Sequence, residues 1–134
     1  VRQKAYETYF RPRGYGFHDV LESIDLALRR GRFVSINYLN LPGFSDSTSE
    51  VDALMKFLDR HPVNMIQWRN LNFDPVRYWQ IMAPTQDSAP PIGMDRVLER
   101  VREHFPGLRF GYFNPPKEKF PKNASVPGRD WHKT

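Results

Sequence analysis

The sequence predicts an α/β domain built on a parallel sheet of about three strands with flanking helices, and three observations carry that expectation. Strand-like and helix-like hydrophobic periods alternate along the chain. Two strand-like runs, in residues 33–39 and 64–71, enclose one helical stretch, the arrangement of a right-handed βαβ crossover. The chain has 134 residues, 40% of them hydrophobic and 14% aromatic, enough for one domain with a core but short of a complete eight-stranded α/β barrel.

Each element follows from local chemistry. Residues 2–10 suit a short helix, and "YFRPRGYGF" is a loop broken by Pro12, Gly14 and Gly16. In "HDVLESIDLALRRG", Val20, Leu21, Ile24, Ala27 and Leu28 share a helical face, with Asp19 in the first turn, Arg29 and Arg30 in the last, and Gly31 as stop. Residues 33–39 form a strand of β-branched and aromatic residues, after which Pro42 and Gly43 turn the chain. "STSE" reads as a capping box, with Ser47 and Glu50 closing the start of a helix that runs to about Arg60 and buries Val51, Leu54, Met55 and Leu58. Pro62 ends it, and "NMIQWRNL" is the second strand. Asp74 as N-cap and Pro75 at the first helical position predict a short helix to about Met82. After a Pro-rich loop over residues 83–93, Val97, Leu98, Val101 and Phe105 mark another helix, and residues 108–113 a last strand. The stretch 114–134 holds four prolines and four lysines without a period, so the domain is read as residues 1–113 followed by an irregular tail, with Phe120 and Trp131 as the residues expected to pack back.

Composition narrows the chemistry. With no cysteine, the chain offers no thiolate nucleophile and no cysteine-ligated metal or cluster. The four histidines lack metal-ligand spacing, and Asn123 in "NAS" matches a glycosylation pattern by letters only. The net charge of +5 collects at the ends: residues 1–32 hold 7 basic and 4 acidic side chains, 33–108 hold 7 and 9, and 109–134 hold 6 and 2. Without stacking aromatics on a strand or a basic helical stripe, this pattern disfavours nucleic acid as a partner. No apolar run approaches the roughly 18 residues of a membrane span, and no signal peptide is visible, so the expectation is a cytoplasmic protein.

The strands carry unusual polar residues. Alternation places Val34, Ile36 and Tyr38 toward helices and leaves Ser35 and Asn37 on the opposite face, with Asn40 at the strand exit. In the second strand the polar set is Gln67 and Arg69, followed by Asn70 and Asn72. Buried amides and guanidinium groups are costly unless paired, so these side chains either satisfy one another or bind a ligand at the carboxyl ends of parallel strands.

At these residues a resemblance appears. "FVSINYLNLPGFSDSTSEVDALMKFL" followed by "MIQWRNLNFDPVRYW", with "YETYFRPRGYGFHDVLESI" upstream, resembles the later part of a radical S-adenosylmethionine enzyme domain. The likeness covers residues 6 to about 82. It implies a partial TIM-like barrel whose [4Fe-4S] cluster is held by three cysteines after the first strand. The chain lacks that strand and those cysteines, and Val1 is not an initiator methionine; it reads as the C-terminal part of such an oxidoreductase, incompetent alone and completed by a cysteine-bearing N-terminal part. The resemblance implies S-adenosylmethionine contacts from Ser35, Asn37 and Asn40 on the fifth strand, and from Ile66, Gln67, Arg69 and Asn70 on the sixth, where adenine is met largely by backbone. The glycine-rich fifth-strand motif of some members is missing. The alternative is a stand-alone half-barrel binding a small anionic or nucleotide ligand, with Arg69 as its charge partner. Either way, an unpaired strand edge and apolar surface from Tyr38, Trp68 or Phe110 suggest a homodimer.

Overall fold

A computed structural model of the chain describes residues 1–86 and 89–111. Its order is helix α1 (Gln3–Phe10), helix α2 (Phe17–Arg29), strand β1 (Ser35–Asn40), helix α3 (Thr48–Arg60), strand β2 (Met65–Asn70), helix α4 (Pro75–Met82) with a 3₁₀ turn at Ala83–Thr85, helix α5 (Met94–His104) and strand β3 (Arg109–Phe110). The expected tail, including Phe120 and Trp131, lies outside the described residues, as do residues 112 and 113 of the expected last strand.

The sheet is parallel, in the order β1-β2-β3. Ser35 pairs with Met65, Asn37 with Gln67 and Asn40 with Asn70, so the two long strands run in register over their full length. Asn64 ties the strand entrances together: its side chain accepts from the Val34 N–H at 2.8 Å, its own N–H donates to the Val34 carbonyl, and its carbonyl accepts from Arg109.

One face of the sheet carries the main core. Ile66, Leu54, Leu58, Val51, Val97 and Val101 are almost wholly buried together, joining β2 to α3 and α5. Tyr38, Trp68 and Phe110 line up edge-to-face across the three strands, with ring centroids 5.3 and 5.4 Å apart. This corrects the expectation that the three rings add to an exposed apolar surface: they lie in or against the core on the helix side, and Tyr38 is buried. A second cluster sits beyond the carboxyl ends of the strands, where Ala5 of α1 and Phe44 meet Tyr78 and Met82 of α4. The exit loop of β1 supports it. Gly43 takes φ +90°, and a Cβ there would stand 3.1 Å from the Trp79 ring, so the turn needs glycine for both conformation and space.

Asp74 caps α4 as expected, accepting from the N–H groups of Val76 and Arg77. The α3 capping box does not form: Ser47 makes no side-chain cap bond, and Glu50 turns away from the helix start to meet Arg2 and Tyr38. Helix α2 forms as expected, yet none of its apolar residues is fully buried. Among the described residues, no helix is long and apolar enough to cross a membrane.

Candidate functional site

Strand parity builds the site. On the face opposite the main core, β1 presents Ser35 and Asn37 and β2 presents Gln67 and Arg69, and the register brings them side by side. Gln67 Nε2 donates to Ser35 Oγ at 3.0 Å, Arg69 Nη2 donates to Gln67 Oε1 at 2.6 Å, and Arg69 Nε reaches Asn37 Oδ1 at 3.5 Å. The result is a strip of donors and acceptors running along two strands toward their carboxyl ends. Gln67 is buried, Ser35 and Arg69 are half-buried and Asn37 is exposed, so the strip grades from interior to surface.

The other expected site residues do not join it. Asn40 and Asn70 pair with each other at the strand ends, but they share the parity of Tyr38 and Trp68 and so lie on the helix side. The Ile66 side chain is fully buried in the core, and its carbonyl accepts from the Gly111 N–H, so that backbone group is spent on the sheet. The seven candidates thus split into a strip of four and three residues on the other face. Period-two counting, applied strictly past the strand centre, separates Asn70 from Arg69.

A second polar group went unnoticed in the sequence. Glu50 is 2% exposed; Arg2 Nε donates to its Oε2 at 2.9 Å and the Tyr38 hydroxyl donates to its Oε1 at 3.0 Å. The backbone nitrogen of Val1 also contacts this carboxylate. Burial, and then the neighbouring Glu50 charge, push the Tyr38 hydroxyl well above its ordinary pKa, and burial pushes Tyr78 up to about 12. Several buried polar atoms have no hydrogen-bond partner among the described residues, Arg2 Nη2, Asn40 Oδ1, Ser47 Oγ and Trp68 Nε1 among them. The signal for Glu50 was present in its spacing, since residues 50, 54 and 58 fall on one helical stripe and the other two are core leucines.

Beside this group lies an aromatic cleft of about 200 Å³ lined by residues of α1, α2, β1, α3 and α4. Tyr6, Phe10 and Phe17 line it from the helices, and Ile36, Asn37, Tyr38 and Leu39 from the strand. Elsewhere, His61 contacts Asp25 at 2.6 Å, tying the end of α3 to α2. Among the described residues, no three histidine, cysteine, aspartate or glutamate side chains are grouped to hold a metal ion. No protein-family model, curated protein or solved structure gives a significant match to the chain.

Proposed function

We propose that this chain is the later part of a radical S-adenosylmethionine oxidoreductase barrel and contributes one wall of the cavity that holds S-adenosylmethionine. The observation that carries the reading is the Ser35–Gln67–Arg69–Asn37 strip, on the sheet face opposite the core helices, within the strings that resemble that family. In a barrel with its helices outside, that face is the inner wall.

The chemistry of the strip fits the ligand. The Asn37 and Gln67 amides offer both donors and acceptors for an adenine edge or ribose hydroxyls, and Arg69 offers a fixed positive charge for the carboxylate of the methionyl end. Asn40 and Asn70 stand at the exits of the same strands, where they reach a ligand only from the helix side. An iron-sulfur cluster does not fit this chain, because it has no thiolate to hold one. The cysteine-bearing N-terminal part has to supply the cluster, and with it the reductive step.

Calorimetry on the chain tests this reading. S-adenosylmethionine is expected to bind saturably, and Arg69→Ala to weaken binding at least tenfold while circular dichroism stays unchanged. A folded chain that shows no binding, or that binds simple nucleotides in preference, defeats the reading; the second result supports a stand-alone nucleotide-binding half-barrel.

A further inference from the structure

Neutral groups hold Arg69. Its Nη2 donates to Gln67 Oε1 at 2.6 Å and its Nε reaches Asn37 Oδ1 at 3.5 Å, so two carboxamide oxygens meet two nitrogens of the guanidinium. Arg2 gives the contrast, since the Glu50 carboxylate that accepts from its Nε at 2.9 Å also offsets its charge. A carboxamide fixes a guanidinium as a hydrogen-bond acceptor but brings no negative charge to it, so Gln67 and Asn37 orient Arg69 without neutralising it.

Ser35 in turn sets the orientation of the Gln67 amide. Arginine has donors only, so the oxygen of that amide has to face Arg69 and its nitrogen has to face away. There Nε2 donates to Ser35 Oγ at 3.0 Å. The sheet puts the three side chains in line: Gln67 and Arg69 are two residues apart on β2, and Ser35, paired with Met65, is the diagonal neighbour of Gln67 on β1. Gln67 is 5% exposed, so little water reaches its amide to replace either partner. A flipped amide would set its NH2 group against the Arg69 donors and drive the guanidinium out of place.

We infer that Ser35 and Gln67 are positioning residues, a relay that holds the Arg69 guanidinium, without neutralising it, where it meets the carboxylate of the ligand. Ser35 acts through Gln67 and Gln67 acts through Arg69, so the hydroxyl stands two links from the charge whose direction it sets. A guanidinium meets a carboxylate best when its plane is fixed in advance, because less side-chain freedom is lost on binding. The inference rests on the proposed reading for the identity of the ligand, and on the hydrogen bonds of the strip for the relay itself.

Guanidinium NMR on the full chain tests the relay without any ligand. Rotation of the Arg69 Nη groups should become roughly fivefold faster in Ser35→Ala and return to its slow rate in Ser35→Thr, whose hydroxyl accepts the same bond. Calorimetry then tests what the relay is for. Ser35→Ala should weaken S-adenosylmethionine about fivefold and leave decarboxylated S-adenosylmethionine unaffected, whereas a structural role alone would weaken both alike. Gln67→Glu should hold the guanidinium more tightly and yet weaken S-adenosylmethionine about tenfold, because the new carboxylate neutralises it. Unchanged rotation in Ser35→Ala, equal losses on the two ligands, or undiminished affinity in Gln67→Glu overturns the inference. A chain that binds neither ligand, while Ser35→Ala still frees the guanidinium, defeats the S-adenosylmethionine reading and sustains the relay.

Discussion

The two faces of β1 and β2 differ by a single step of the chain, and they differ in chemistry. One face, with Ile36, Tyr38, Ile66 and Trp68, is apolar and lies under or against α3 and α5. The other, with Ser35, Asn37, Gln67 and Arg69, is polar and holds itself together by side-chain hydrogen bonds. The comparison teaches that a period of two lets neighbouring strand residues serve a packed apolar face and a hydrogen-bonded polar one, with Met65 and Leu39 on the polar side and Asn40 and Asn70 at the strand exits on the other as the exceptions.

The largest effect that sharpens this comparison belongs on the helix side. Leu54 is wholly buried, so Leu54→Ala should cost about 4 kcal/mol in urea unfolding, through lost transfer energy and the cavity left behind. Next comes Glu50→Ala, expected to cost about 3 kcal/mol, because it strands the Arg2 guanidinium and the Tyr38 hydroxyl in a buried setting. A loss as small as that of a surface substitution would mean that Glu50 is not the tie between α1, β1 and α3.

A pH scan probes the same side more gently. Tyr38 and Tyr78 have raised pKa values in the fold and ionise near 10.0 when unfolded. Their contribution is fully present below pH 10 and is lost as pH rises from there through the folded values, about 12 for Tyr78. Urea midpoints should therefore fall between pH 10 and 12, and Tyr78→Phe should flatten that fall. Unchanged slopes in the variant would remove Tyr78 from the account.

The smallest stability effects belong on the polar face. Asn37 is exposed, and Asn37→Ala should change stability by no more than about 0.5 kcal/mol. A cost above about 2 kcal/mol would break the comparison, since it would make the strip part of what holds the fold.

Much of this arrangement was legible in the letters. The breakers, the α2 and α4 start signals and the two strand runs act locally, and the structure follows them to within about two residues at the described boundaries. The polar strip was legible for Ser35, Asn37, Gln67 and Arg69 because alternation is a local property. What was not legible came from contacts distant in sequence. Arg2 reaches Glu50 across 48 positions, and that pairing overrides the capping box that "STSE" spells. The stripe of α2 reads as buried, but the space beside it is set by where β1 ends the sheet, which no window of α2 contains.

The central claim is that the strip face, and not the helix face, meets the ligand. Side-chain amide resonances of Asn37 and Gln67, followed by NMR while S-adenosylmethionine is added, test it most directly. The account predicts saturable shifts of both amides and of the Arg69 guanidinium, with the indole resonance of Trp68 on the other face unmoved; shifts confined to Trp68, or none at all in the folded chain, would contradict it.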